Sequence, residues 1–264
     1  MTPVHNRSNH VKQIPHHLLA LYGTGASPAV LQARFEENSN YQRPAQPPAA
    51  VLKAWTEAAP LLGKGKNYSA FLSFFQEQIA AQGSKQVLHE YVLKGDAAAD
   101  DMLARMHAGF LHPMIQLMYG VEWTQPAMVA EALAQTAVHG DEGLKTLLFE
   151  AEARSRAAAV AATSQSSSSG SSGGMPAILD LYRAVGADEK LASCVTVEME
   201  SKVREGVLGS EETRRAILDI MSRVGVAPEE VPERTAEMFD ASVFVAASAA
   251  AHPAKHPKFD FFLM

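Results

Sequence analysis

The sequence predicts an all-α fold, a multi-helix globular bundle, on three observations. Apolar residues recur three and four positions apart, as Phe71, Leu72, Phe74, Phe75 and Ile79 do within Asn67–Gln82, which gathers them on one side of a helix. Ser, Asn or Pro precedes many of these segments and Gly follows them, the usual punctuation of helix starts and stops. No series of alternating β-rich runs is present from which a sheet could be built.

Taken in order, Ile14–Tyr22 reads as a helix with Pro15 near its start and Gly23-Thr24-Gly25 at its end, since Gly favours helix C-termini. Ser27-Pro28 opens the next helix as N-cap and first helical residue. That helix carries Val30, Leu31, Ala33 and Arg34 toward Glu37. The three prolines of Tyr41–Pro48 make an extended connector. Val51–Leu62 is a weakly amphipathic helix or a looped segment. Asn67–Gln82 is a helix with Asn67 as cap and Gly83 as stop, followed by Lys85–Leu93 and Ala97–His107. Pro126–Val138 turns Met128, Val129, Leu133 and Val138 to an apolar side, and His139 at its end is placed to complement the helix dipole. Leu144–Ala162 is helical. The composition then shifts at Ser164–Gly174 to a low-complexity Ser/Gly run, expected to be a disordered insertion or linker. Helices resume at Ala177–Val185, Asp188–Val207, Glu211–Val224 and Val231–Ala251. This ordering divides the chain into helical parts at 1–163 and 175–264 around one core interrupted by the 164–174 linker.

Composition limits the function. The chain has 264 residues, 47% hydrophobic and 20% charged, within the range of globular proteins. Its net charge of −6 offers no basic excess for phosphates, which argues against nucleic-acid binding. One cysteine, Cys194, permits neither an internal disulfide nor a cysteine-based zinc site. The first residues have no apolar core of a secretory signal. No apolar run reaches the ~18 residues of a membrane span, so a cytoplasmic protein without a membrane is expected. The G-T-G of Gly23–Gly25 lacks a preceding strand and a third glycine, so the dinucleotide fingerprint fails.

Arg105–Trp123 is where polar groups concentrate. It places His107, His112, Gln116, Tyr119 and Glu122 in an otherwise apolar stretch, and each must find a partner if buried. His112 and Gln116, four apart, share a helix face. Pro113 suits a helix starting at His112. The structural alternative is a core helix with one satisfied histidine. His16 and His17 lie about 100° apart on a helix, and His17, on the face of Ile14 and Leu21, is expected to look inward.

The segment G-F-L-H-P-M-I-Q-L-M-Y-G-V-E-W (Gly109–Trp123) resembles the G-x-x-H-P-x-I-H-x-G-Y-G-x-E pattern of the questin oxidase-like family. That family comprises fungal and bacterial proteins related to aromatic-polyketide oxidases of anthraquinone and aflatoxin pathways. Further blocks follow in the family's order: Asn9–Pro28, Asn38–Pro44, Asn67–Phe75, Ala130–His139 and Lys258–Met264. Two departures stand out, Gln116 for the family's second histidine and Met118 for a glycine. The closing D-F-F-L-M stops short of the family's next histidine, from which a truncated chain is expected. The apolar Phe261–Met264 end is expected either to tuck into the core or to be exposed by that truncation.

The resemblance implies an oxidoreductase that opens an anthraquinone-type ring by Baeyer–Villiger oxygenation with NADPH. An alternative chemistry is a non-haem iron dioxygenase, because histidines from several helices suit such a site. His17, His112 and His139 are then the candidate metal ligands, with Lys258 and Asp260 to join or orient the site. Tyr119 and Glu122 are candidates to orient a quinone carbonyl. A third reading, prompted by Gln116 and the missing C-terminal portion, is a non-catalytic binder of aromatic ligands. The expected partner in every case is a small aromatic polyketide or quinone.

Overall fold

The computed structural model describes residues 14–39, 47–48, 50–165, 174–196 and 198–250. Those residues are helical, with no strand among them. They fall into two compact units divided between Asp141 and Glu142, each with its own apolar cluster, where the sequence reading placed a single core. The Ser/Gly run between 166 and 173, and the C-terminal block with Lys258 and Asp260, lie outside the described residues.

In the first unit the helices are α1 (Ile14–Gly23), α2 (Pro28–Ser39), α3 (Tyr68–Gln82), α4 (Ser84–Leu88), α5 (Ala97–Met106), α6 (His112–Glu122) and α7 (Pro126–Val138). The centre is α7. Every residue from Met128 to Val138 except Glu131 is buried, the pattern of a helix covered on all sides. Its alanines let α3 and α6 approach closely. Backbones come close at Gly120 of α6: a Cβ there would lie 2.9 Å from the backbone nitrogen of Val129 and 3.2 Å from the carbonyl carbon of Met128. Phe71 and Phe75 from α3 and Met102 and Met106 from α5 complete the core. Trp55 caps it, its ring 5.0 Å from Tyr91 and 5.7 Å from Phe75.

Local chemistry explains most helix ends. The Asp96 carboxylate accepts from the backbone of Ala98 and Ala99 to start α5, a true side-chain cap. Asn67 does not cap α3 as expected; its amide donates to the Leu61 carbonyl instead, at 2.8 Å, tying the preceding loop to the helix start. Gly83, at φ 82°, ends α3 by returning its N–H to Ile79. The segment after α4 widens into a π-helical turn over His89–Leu93. Val51–Leu62 is looped, with one 3₁₀ turn at Trp55–Glu57.

The second unit contains α8 (Leu144–Gln165), α9 (Ile178–Ala187), α10 (Glu189–Ser193), α11 (Glu211–Met221) and α12 (Val231–Ala250). The single helix expected over Asp188–Val207 is broken. α10 ends at Ser193, and a π-helical turn takes up the chain only at Lys202. Gly206 of that turn packs on the Cys194 carbonyl; a Cβ there would come within 2.7 Å. Leu147 and Ala151 of α8 pack on Leu218 of α11, and Glu150 bridges Arg154 and Arg214 across the same two helices. α12 is tied to the start of α9 by Glu237, whose carboxylate accepts from the Ile178 backbone at 2.7 Å and from Arg234 at 2.6 Å.

Gly120→Ala forces backbone apart at the α6–α7 contact. It should cost about 1–3 kcal/mol, the usual penalty of overpacking. Thermal or urea unfolding reads this, with exposed Gly174→Ala as the reference, since a Cβ at Gly174 meets nothing within 4 Å.

Candidate active site

The turn that delivers α6 is left-handed over three successive residues. Gly109 has φ 59°, Phe110 φ 54° and Leu111 φ 62°. Glycine takes this conformation freely, whereas each L side chain pays roughly 1–2 kcal/mol for it. The turn persists because two histidines pin it. His112, first residue of α6, donates Nδ1–H to the Gly109 carbonyl at 2.8 Å. His139, just past α7, packs its ring on Gly109 so tightly that a Cβ there would lie 2.3 Å from Nε2. His139 in turn donates Nδ1–H to the Gln135 carbonyl at 2.7 Å. Its own carbonyl accepts from Arg105, which is paired with Asp101 at 2.6 Å.

α1 lies along α6 in the same sense. Its start meets Gln116 and Tyr119, and its end meets Trp123, where the Tyr22 and Trp123 rings touch edge to face at 5.6 Å. Between α1, α6 and α7 runs a seam of polar groups. Gln116 is fully buried. Its amide nitrogen donates to the Glu131 carboxylate of α7 at 2.8 Å, and its amide oxygen stands 3.1 Å from Nδ1 of His16 on α1. Tyr119 sets its ring 5.8 Å from that of His16 at a tilt of 33°. At the far end, Tyr68 opens α3 close to Glu131.

The electrostatics follow from this placement. Burial holds His16 below the ordinary imidazole pKa; the Gln116 hydrogen bond opposes this, and His112 and His17 add to it. Burial pushes the Tyr68 phenol well above its usual value, and the nearby Glu131 charge pushes it further. Both groups are therefore neutral near pH 7.

The sequence-predicted residues are distributed as follows. His112 and Tyr119 border the seam. His17 turns the other way, toward α2, where the Asn38 amide donates to its Nδ1 at 3.1 Å; the inward histidine is His16. His139 serves the Gly109 turn. Glu122 is exposed on α6. Lys258 and Asp260 lie outside the described residues. Among the described residues no group of three or more His, Cys, Asp or Glu side chains is placed to hold a metal ion. His16, Glu131 and Tyr68 were not singled out from sequence, although each falls inside a family-like block. The signal for them was Gln116 itself: a buried amide requires partners on both sides.

The family model described as Questin oxidase-like matches residues 8–264. Among curated proteins, the chain is 33% identical to a questin oxidase of Aspergillus terreus over 94% of its own length and 54% of the relative's. It is 35% identical to a Baeyer–Villiger monooxygenase of Cryptosporiopsis, over 95% and 55% of the two chains. It is 31% identical to an oxidoreductase of Aspergillus parasiticus, over 95% and 49%. The chain thus spans about half the length of the curated relatives it matches.

Two outcomes are expected at the seam. Gln116→Leu removes the amide that the Glu131 carboxylate and the His16 ring both meet, and should lower stability by about 1–3 kcal/mol in denaturant unfolding. Tyr68 should stay protonated in the fold while the unfolded chain ionises near pH ~10. Above that pH the unfolded state holds fewer protons, so stability falls as pH rises. Tyr68→Phe should flatten that alkaline loss, measured as melting temperature against pH.

Proposed function

The chain belongs to the questin oxidase-like family, and from that premise we propose that it is part of an oxidoreductase acting on aromatic polyketides of the anthraquinone type. The reaction is a Baeyer–Villiger oxygenation. One atom of O₂ enters the bond between a ring carbon and the adjacent carbonyl, yielding a lactone. The other atom leaves as water: NADPH gives up a hydride, which carries the two electrons and one proton, and becomes NADP⁺, and solvent supplies the second proton. The observation that carries this reading is the Glu131–Gln116–His16 seam. It joins three family-like blocks through hydrogen bonds to the fully buried Gln116 amide and ends on a half-buried imidazole that a ligand can reach. The names borne by the relatives, questin oxidase and Baeyer–Villiger monooxygenase, agree with it.

NADPH remains the proposed donor by resemblance, and no residue is assigned to hold it. The one glycine pair resembling a phosphate loop faces the wrong way. Gly23-Thr24-Gly25 closes the C-terminal end of α1, with the Thr24 hydroxyl donating to the Ala20 and Leu21 carbonyls at 3.0 Å. Carbonyl ends repel phosphate. Among the described residues no group of three or more His, Cys, Asp or Glu side chains converges to hold iron, and His17 faces Asn38.

The test is oxygen uptake and product mass with a hydroxyanthraquinone, NADPH and ¹⁸O₂. The expected result is NADPH-dependent formation of a product carrying one labelled oxygen in the ring. Binding of the quinone without any turnover would overturn the oxygenase reading in favour of an aromatic-ligand binder.

A further inference from the structure

We infer that His16 selects phenolic over non-phenolic aromatic ligands, because Glu131 and Gln116 lock its ring with the proton on Nδ1 and leave Nε2 able only to accept a hydrogen bond. This rests on the aromatic-polyketide reading of the previous section and names the feature of the substrate that the seam reads.

The proton positions follow from the hydrogen bonds, starting at α7. An ionised carboxylate can only accept. The Glu131 carboxylate therefore faces the NH₂ end of Gln116, at 2.8 Å. That orientation points the amide oxygen at His16, 3.1 Å from Nδ1. An amide oxygen is also only an acceptor, so Nδ1 must carry the proton. Gln116 is fully buried between helices, so flipping its amide would set its oxygen against the Glu131 carboxylate, a repulsive contact of two acceptors.

The ring does not escape by taking a second proton. His16 is desolvated, and the other titratable groups facing it are His17 on its own helix and His112 on α6, each of which disfavours a second charge. Tyr119, also from α6, faces it with its ring. A neutral ring with its proton committed to Nδ1 has one group left to offer, the lone pair on Nε2, and His16 makes no hydrogen bond through Nε2 among the described residues. The ring is only half-buried, so it remains reachable.

A ligand satisfying that lone pair must bring a donor. On a flat polycyclic polyketide the donors are phenolic hydroxyls; quinone carbonyls and methyl ethers offer only acceptors. The seam is thus built to favour a free phenol over its methyl ether, which brings no donor for the Nε2 lone pair.

The experiment compares binding, by fluorescence quenching or calorimetry, of a hydroxyanthraquinone whose hydroxyl lies away from the quinone carbonyls with binding of its methyl ether. Wild type should prefer the phenol by at least ~10-fold, and His16→Phe should bind both alike. In parallel, ¹⁵N imidazole spectra should show His16 as the Nδ1–H form in wild type and redistributed in Gln116→Met, which keeps the ring but removes its orienting partner. A phenol preference undiminished in His16→Phe overturns the inference, and so does an Nε2–H form in wild type; either result leaves the aromatic-polyketide reading standing. Failure of both compounds to bind wild type overturns that reading and this inference with it.

Discussion

Gln116 is an amide with no access to water, and a buried amide left unpaired costs more than most single contacts return. That constraint sets the register of three helices. α7 must bring Glu131 to one end of the amide, and α1 must bring His16 to the other. Gly120, one turn on from Gln116 along α6, allows the backbones of α6 and α7 to come close enough for this to happen. The apolar packing around α7 supplies most of the cohesion, but packing alone tolerates sliding of one helix along another. The hydrogen bonds of the seam do not.

The left-handed turn before α6 belongs to the same arrangement. Two non-glycine residues in left-handed conformation are a standing cost, and such strain survives only where neighbours over-determine it. Here the neighbours are the two histidines and Arg105. Gly109 accepts from His112 and lies against the His139 ring, while Arg105 anchors the backbone of His139. His112 and His139 thus act in the described residues as pins of this turn. They hold the start of α6, and so Gln116, in place.

The second unit is organised differently. Its apolar cluster is smaller, and ion pairs such as Glu150 with Arg154 and Arg214 join its helices. Exposed pairs of this kind contribute little each. Among its described residues there is no counterpart of the buried seam, which is why the functional reading rests on the first unit. No helix among the described residues is long and apolar enough to cross a membrane.

The sequence by itself determined the helical class, most helix bounds and the family. Those follow from local rules: apolar spacing, Gly and Pro punctuation, and Asp or Ser caps act within a few residues. Pro126–Val138 matches the predicted bounds for that reason. The break after Ser193 escaped those rules because it answers to a packing contact, Gly206 against the Cys194 carbonyl, that no local pattern announces. The site was legible only in part. The motif located Gln116, His112 and Tyr119, but the choice between His16 and His17 depended on where α2 and α6 flank a helix that has no fully buried side. Periodicity finds an apolar face; it cannot say which of two half-buried faces meets a partner 100 residues away. Tertiary structure decided that His16, Glu131 and Tyr68 complete the seam, because pairing a buried amide is a requirement met across helices and not along them.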